Sequence, residues 1–73
     1  MINEKTIREK LDFFKGKNIQ VHIMKLNREF LNGLIVSKES DNVYIIKERK
    51  FGLMHIFIGE IFYVDELKKE GNN

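Results

Sequence analysis

The side chains that could do chemistry are few and scattered. His22 and His55 lie far apart in a chain that has no cysteine, so they do not make a structural zinc site. Each sits in a stretch of alternating apolar and polar residues without an acid beside it, the setting of a packed or exposed histidine rather than a base. No Ser/His/Asp or Cys/His spacing, glycine-rich phosphate loop or pair of carboxylates marks a pocket. The expectation is a chain without catalysis, metal or cofactor. Asn42 is the residue that invites a question, because it stands at the seam between Glu39-Ser40-Asp41 and the apolar run that starts at Val43. Its amide can donate and accept, so it can read the edge of a base, or it can hold a hairpin turn in left-handed geometry. Both readings stay open on the sequence. Lys38, Arg28 and the cluster from Lys47 to Lys50 could meet a phosphate backbone or simply be solvated. Phe30, Tyr44, Phe57, Phe62 and Tyr63 could stack on bases, but short strands need large residues to fill a core or a subunit interface, and that is where they are expected.

Elements must hold these residues in place, and their pattern is clear. Ile7, Leu11 and Phe14 recur at helical spacing among charged residues, which predicts an amphipathic helix over 4–15, packed on its own domain. Asn3 is expected as its N-cap, Ile2 and Ile7 as a hydrophobic staple, and Gly16 as the left-handed stop. Beyond Gly16 the period changes to two. Ile19, Val21 and Ile23 alternate in a first strand reaching Lys25, and Leu26-Asn27-Arg28 turns the chain. A longer strand runs from Glu29 to Lys38, with Gly33 as the place for a bend or bulge. Three short strands follow: Val43 to Lys47, Leu53 to Ile58 and Ile61 to Val64. They are joined by tight turns at Glu48-Arg49-Lys50 and Gly59-Glu60. Ile58 is expected to point out of its turn, whereas Ile56 faces a core or an interface. One helix and five short, strongly curved antiparallel strands over 18–64 predict a small barrel, with a polar, frayed tail over 65–73. The whole chain reads as one domain.

Composition narrows the class. A chain of 73 residues buries only about 60% of the surface its unfolded form exposes. Without disulfide or metal, association with copies of itself is the remaining support. Thirteen Lys and Arg against 11 Asp and Glu leave a net charge of +2, too little to argue nucleic-acid binding from charge alone. No apolar run nears the roughly 20 residues that span a bilayer, and the charged first helix is unlike a signal peptide, so a cytosolic protein without a membrane partner is expected.

A helix followed by five strands with a bent second strand resembles the Sm-like proteins, and the resemblance covers nearly the whole chain to Val64. Lys25, Arg28 and Asn42 fall in register with the first Sm motif. Asn27 stands for the usual turn glycine, Asn32 for the mid-strand glycine with Gly33 one place late, and Lys38 for the usual acid. LMHIFIGEIFYV resembles the second motif, keeping Gly59 but with Ile58 where the family has arginine. The resemblance implies rings of identical or related subunits, the fourth strand of one pairing with the fifth of the next. Leu53, Ile56, Ile61 and Tyr63 would then sit at the subunit interface. It also implies binding of uridine-rich or adenine-rich single-stranded RNA at the pore, of whose contacts only Asn42 carries over, with Gly59 kept in the later turn; Lys38 and Arg28 are added as candidate contacts because their charges could compensate at the backbone. Asp41, at the stacking position, offers no aromatic face. A ring of the same build that serves as a structural or protein-interaction module, without RNA, is the alternative.

Overall fold

The computed structural model describes residues 3–68. Helix α1 (Glu4–Lys17) begins where expected: the Asn3 side chain accepts the Thr6 N–H at 3.1 Å. Its apolar stripe buries Ile7, Leu11 and Phe14, each worth about 1.5–3 kcal/mol of burial. The helix does not stop at Gly16. It continues to Lys17, and Asn18 takes the left-handed conformation (φ 56°) that ends it. Asparagine tolerates that conformation, and Lys15 and Lys17 in the last turn suit the negative end of the helix. Ile2, the other half of the expected staple, lies outside the described residues.

Five antiparallel strands form one sheet: β1 (Val21–Lys25), β2 (Phe30–Ser40), β3 (Val43–Glu48), β4 (Gly52–Phe57) and β5 (Ile61–Glu66). Their order is β4-β3-β2-β1-β5, so β4 and β5 are the two ends and do not pair with each other. The fold is thus mainly β, with one helix laid against β2, β5 and the short 3₁₀ helix Ile58–Glu60 that links β4 to β5. Strand β5 outruns its expected end at Val64, and past it Leu67 N–H donates to Gln20 carbonyl at 2.8 Å. Residues 65–67 are therefore tied down rather than frayed, and the rest of the expected tail, 69–73, lies outside the described residues.

The sheet curls tightly, for a reason visible in two backbone hydrogen bonds. Ile58 N–H donates to the Asn42 carbonyl at 2.9 Å, and Leu26 N–H donates to the Glu60 carbonyl at 2.8 Å. Asn42 and Leu26 flank opposite ends of β2, which if straight would be ~36 Å long at about 3.3 Å per residue. A three-residue 3₁₀ helix advances only ~6 Å. β2 must therefore fold back on itself. Its register against β3 shifts between Ile35 and Ser37 and again between Lys38 and Ser40, so the bend lies beyond Gly33. Gly33 serves another need: a Cβ there would lie 2.0 Å from the Lys47 carbonyl oxygen, so only glycine lets β2 and β3 come this close.

The core collects the stripe of α1 and the inward residues of all five strands. Ile58 belongs to it. At 1% exposure it is as buried as Ile56 at 2%, because the 3₁₀ turn rolls it inward, and the expectation that it points to solvent is overturned. Of the five aromatics that could have stacked on bases only Tyr44 is in the core, whereas Phe30, Phe57, Phe62 and Tyr63 lie on the outer surface. The turn after β3 holds a surprise as well. Glu48 ends β3 instead of opening the turn, and is only 5% exposed. Its Oε1 accepts the Lys50 and Phe51 N–H groups at 2.6 and 3.0 Å, and its Oε2 accepts the Asn32 N–H at 3.1 Å. Burial pushes this carboxyl's pKa up, but the three backbone donors outweigh burial and hold it below the ordinary value.

Candidate functional site

The two hydrogen bonds that curl the sheet also gather the candidate residues. The 3₁₀ helix carries Gly59 and is tied through Ile58 to the Asp41–Asn42 turn, and through Glu60 to the turn that holds Arg28. Asn42 is not in left-handed geometry: among the described residues only Asn18, Arg28 and Gly52 have positive φ. The turn thus makes no conformational demand for asparagine there. Its side chain is in use instead, with Oδ1 accepting Arg8 Nη2–H at 2.9 Å while its backbone N–H donates to Ser40 Oγ at 3.3 Å. Arg8, on the second turn of α1, also donates from Nε to the Asp41 carbonyl at 2.8 Å. Gly59 has no left-handed φ, and a Cβ there would meet only the Glu4 carboxylate oxygen at 3.9 Å, an ordinary contact.

Charge pairing separates the candidate cations. Lys38 Nζ lies 3.5 Å from Asp12 and 3.6 Å from Asp41, so two carboxylates offset its charge. Lys25 is likewise held between Glu29 at 3.8 Å and Glu60 at 3.7 Å. Arg8 and Arg28 have no carboxylate within 4.0 Å among the described residues. Arg28 holds a left-handed φ of 72°, a conformation glycine takes without cost, and the neighbouring Asn27 Oδ1 accepts Glu29 N–H at 2.9 Å to close the turn. Beneath Lys38, the Tyr44 hydroxyl donates to Asp12 Oδ1 at 2.6 Å. Burial, with that hydrogen bond behind it, pushes the Tyr44 pKa up to about 12, so the hydroxyl remains a donor at neutral pH and ties α1 to β3.

The expected interface residues divide in two. Leu53 on β4 is 70% exposed and Tyr63 on β5 is 38% exposed. Ile56 and Ile61 are buried in the chain's own core, and only their backbones could serve a neighbour. Lys10 on α1 already donates to the Val64 carbonyl of β5 at 3.3 Å. The histidines differ from expectation too. His55 has an acid beside it after all, with Nε2 3.1 Å from Glu39, because the β2–β3–β4 pairing brings together what sequence holds apart. His22 Nδ1 meets Asn32 Oδ1 at 2.5 Å, and its ring stacks on Phe30 at 4.8 Å.

Sequence reasoning missed Arg8 and Asp12. Both were assigned to the polar side of the helix, and nothing in a helical period says which polar residues will overlie a hairpin from elsewhere in the chain. Comparison of the chain with protein-family models, with curated proteins and with solved structures gave no match.

Proposed function

We propose that this chain is an Sm-like protein that assembles into a ring and binds single-stranded RNA through the turns around Gly59. One observation carries the reading: the Asn42 turn and the Gly59 turn, far apart in sequence, are joined by the Ile58-to-Asn42 hydrogen bond. They are the two turns from which the resemblance draws its RNA contacts. Assembly is supported by the strand order, since β4 and β5, which the resemblance pairs between subunits, are the two ends of the sheet. Their outer faces carry exposed Leu53, Phe57, Phe62 and Tyr63, and bare apolar edges are ordinarily covered. The tight curl of β2 supports the barrel form of the fold.

Base preference in this reading rests on Asn42 alone. Ile58 cannot stand in for an arginine from inside the core, and Asp41 supplies no stacking face, which forfeits about 1–3 kcal/mol per base. Affinity then depends on cations near phosphates and falls steeply with salt. The test is fluorescence anisotropy with labelled oligouridine and oligoadenine over a salt series, beside light scattering across dilution. The expected result is a multiple of the 8.7 kDa chain that binds RNA at low salt, with Asn42→Ala losing the difference between the two oligomers. A folded monomer would discard the ring. Absence of RNA binding by an assembled protein would favour the alternative, a structural or protein-interaction module, which the carboxylates around Lys38 already favour.

A further inference from the structure

We infer that Arg8, on the N-terminal helix, is the residue that grips the RNA phosphate at the Asn42 turn, in place of the sequence-derived candidate Lys38. The inference rests on the RNA-binding reading above and adds to it the residue that recognises the backbone. Three observations lead to it. First, Arg8 is held in place, with Nε on the Asp41 carbonyl at 2.8 Å and Nη2 on Asn42 Oδ1 at 2.9 Å. Both acceptors are neutral, so they orient the guanidinium without cancelling its charge. Second, no carboxylate lies within 4.0 Å of Arg8 among the described residues, whereas Lys38 has two. Third, a guanidinium has five N–H donors in a planar fork, and these two bonds use two of them.

Together these make a fixed positive charge with three donors to spare, bonded directly to the amide that would read the base. Such a fork matches two oxygens of a phosphodiester, and an already ordered side chain loses less entropy on binding than a free lysine would. Arg8 and Asn42 then act as one unit: the amide meets a base edge and the guanidinium meets the adjoining phosphate. The same bonds explain why the helix covers this turn.

The experiment measures oligouridine affinity by anisotropy between about 50 and 200 mM salt for wild type, Arg8→Gln, Arg8→Lys and Lys38→Gln. Arg8→Gln should weaken binding about 10-fold at the low end and reduce the slope of log K against log salt by about 0.7 for each phosphate it no longer neutralises. Arg8→Lys should keep most of the slope while losing part of the affinity, because it keeps the charge but not the fork. Lys38→Gln should weaken binding less than Arg8→Gln and leave the salt slope near the wild-type value, since Lys38 neutralises no phosphate in this arrangement although its loss leaves Asp12 and Asp41 uncompensated. Wild-type binding that Arg8→Gln leaves unchanged in affinity and slope overturns the role of Arg8 and leaves the RNA reading standing. Failure of the assembled wild type to bind overturns both. Circular dichroism and melting accompany each variant, and loss of the folded sheet in both Arg8 variants assigns the residue to stability alone, overturning the inference.

Discussion

Glu48 is the one buried charged side chain among the described residues, and it has three backbone donors for its two oxygens. Its negative charge is what makes that arrangement favourable. Glu48→Gln keeps the size but replaces one acceptor oxygen with an NH₂ that must face a donor. The expected cost is about 1–3 kcal/mol, the penalty of an unsatisfied buried group. The pH dependence has a definite sign. Because the folded-state pKa is depressed, Glu48 contributes its stability above the unfolded-state value and loses it as pH falls through the folded value. Urea midpoints measured from neutral into acid pH should therefore fall for wild type over that window and fall less for Glu48→Gln. Parallel acid limbs for the two proteins would show that Glu48 is not the group being titrated.

Among the elements, β2 sets the form of the rest, and Gly33 and the bend beyond it do separate jobs. Gly33→Ala places a methyl group against the Lys47 carbonyl, where backbone has to move, so we expect a loss of about 1–3 kcal/mol or more. Gly59→Ala, whose Cβ would meet only the Glu4 carboxylate at an ordinary 3.9 Å, should melt close to wild type. Ile58→Lys and Ile56→Lys should both be severely destabilised, since each buries an ammonium without a partner. Thermal melts of the four variants decide the matter, and a mild Ile58→Lys would contradict the inward turn. Periodicity made α1 and the five strands legible because it reports which faces meet an apolar interior. It did not reveal that Ile58 is core, since three residues of 3₁₀ helix carry no period. It placed Asn42 correctly at a turn, yet the partner that matters most to Asn42 comes from α1. Arg8 could not be read from a stretch in which every polar residue looks alike. Glu48 was hidden in the same way, inside what reads as a charged turn.

For the molecule as a whole, the sheet has two unlike ends, β4 and β5, and one of them is partly occupied by Lys10 on the Val64 carbonyl. Contact between unlike edges is head-to-tail, so each copy added to a row buries one edge and presents another. Growth of that kind has no natural stop except closure, and closure adds one more contact without bringing in a further chain. In the proposed assembly a subunit with one spoiled edge would thus act as a chain terminator: its sound edge would join the row and its damaged one admit no successor. Leu53→Glu together with Phe57→Glu spoils the exposed face of β4 and leaves β5 intact. Co-refolded as a minority with wild type, this variant should lower the mass seen by light scattering out of proportion to its share. A mass that falls only in proportion would mean that copies do not meet through these edges. In the proposed assembly such a variant would be genetically dominant in a cell, a few defective copies outweighing many sound ones.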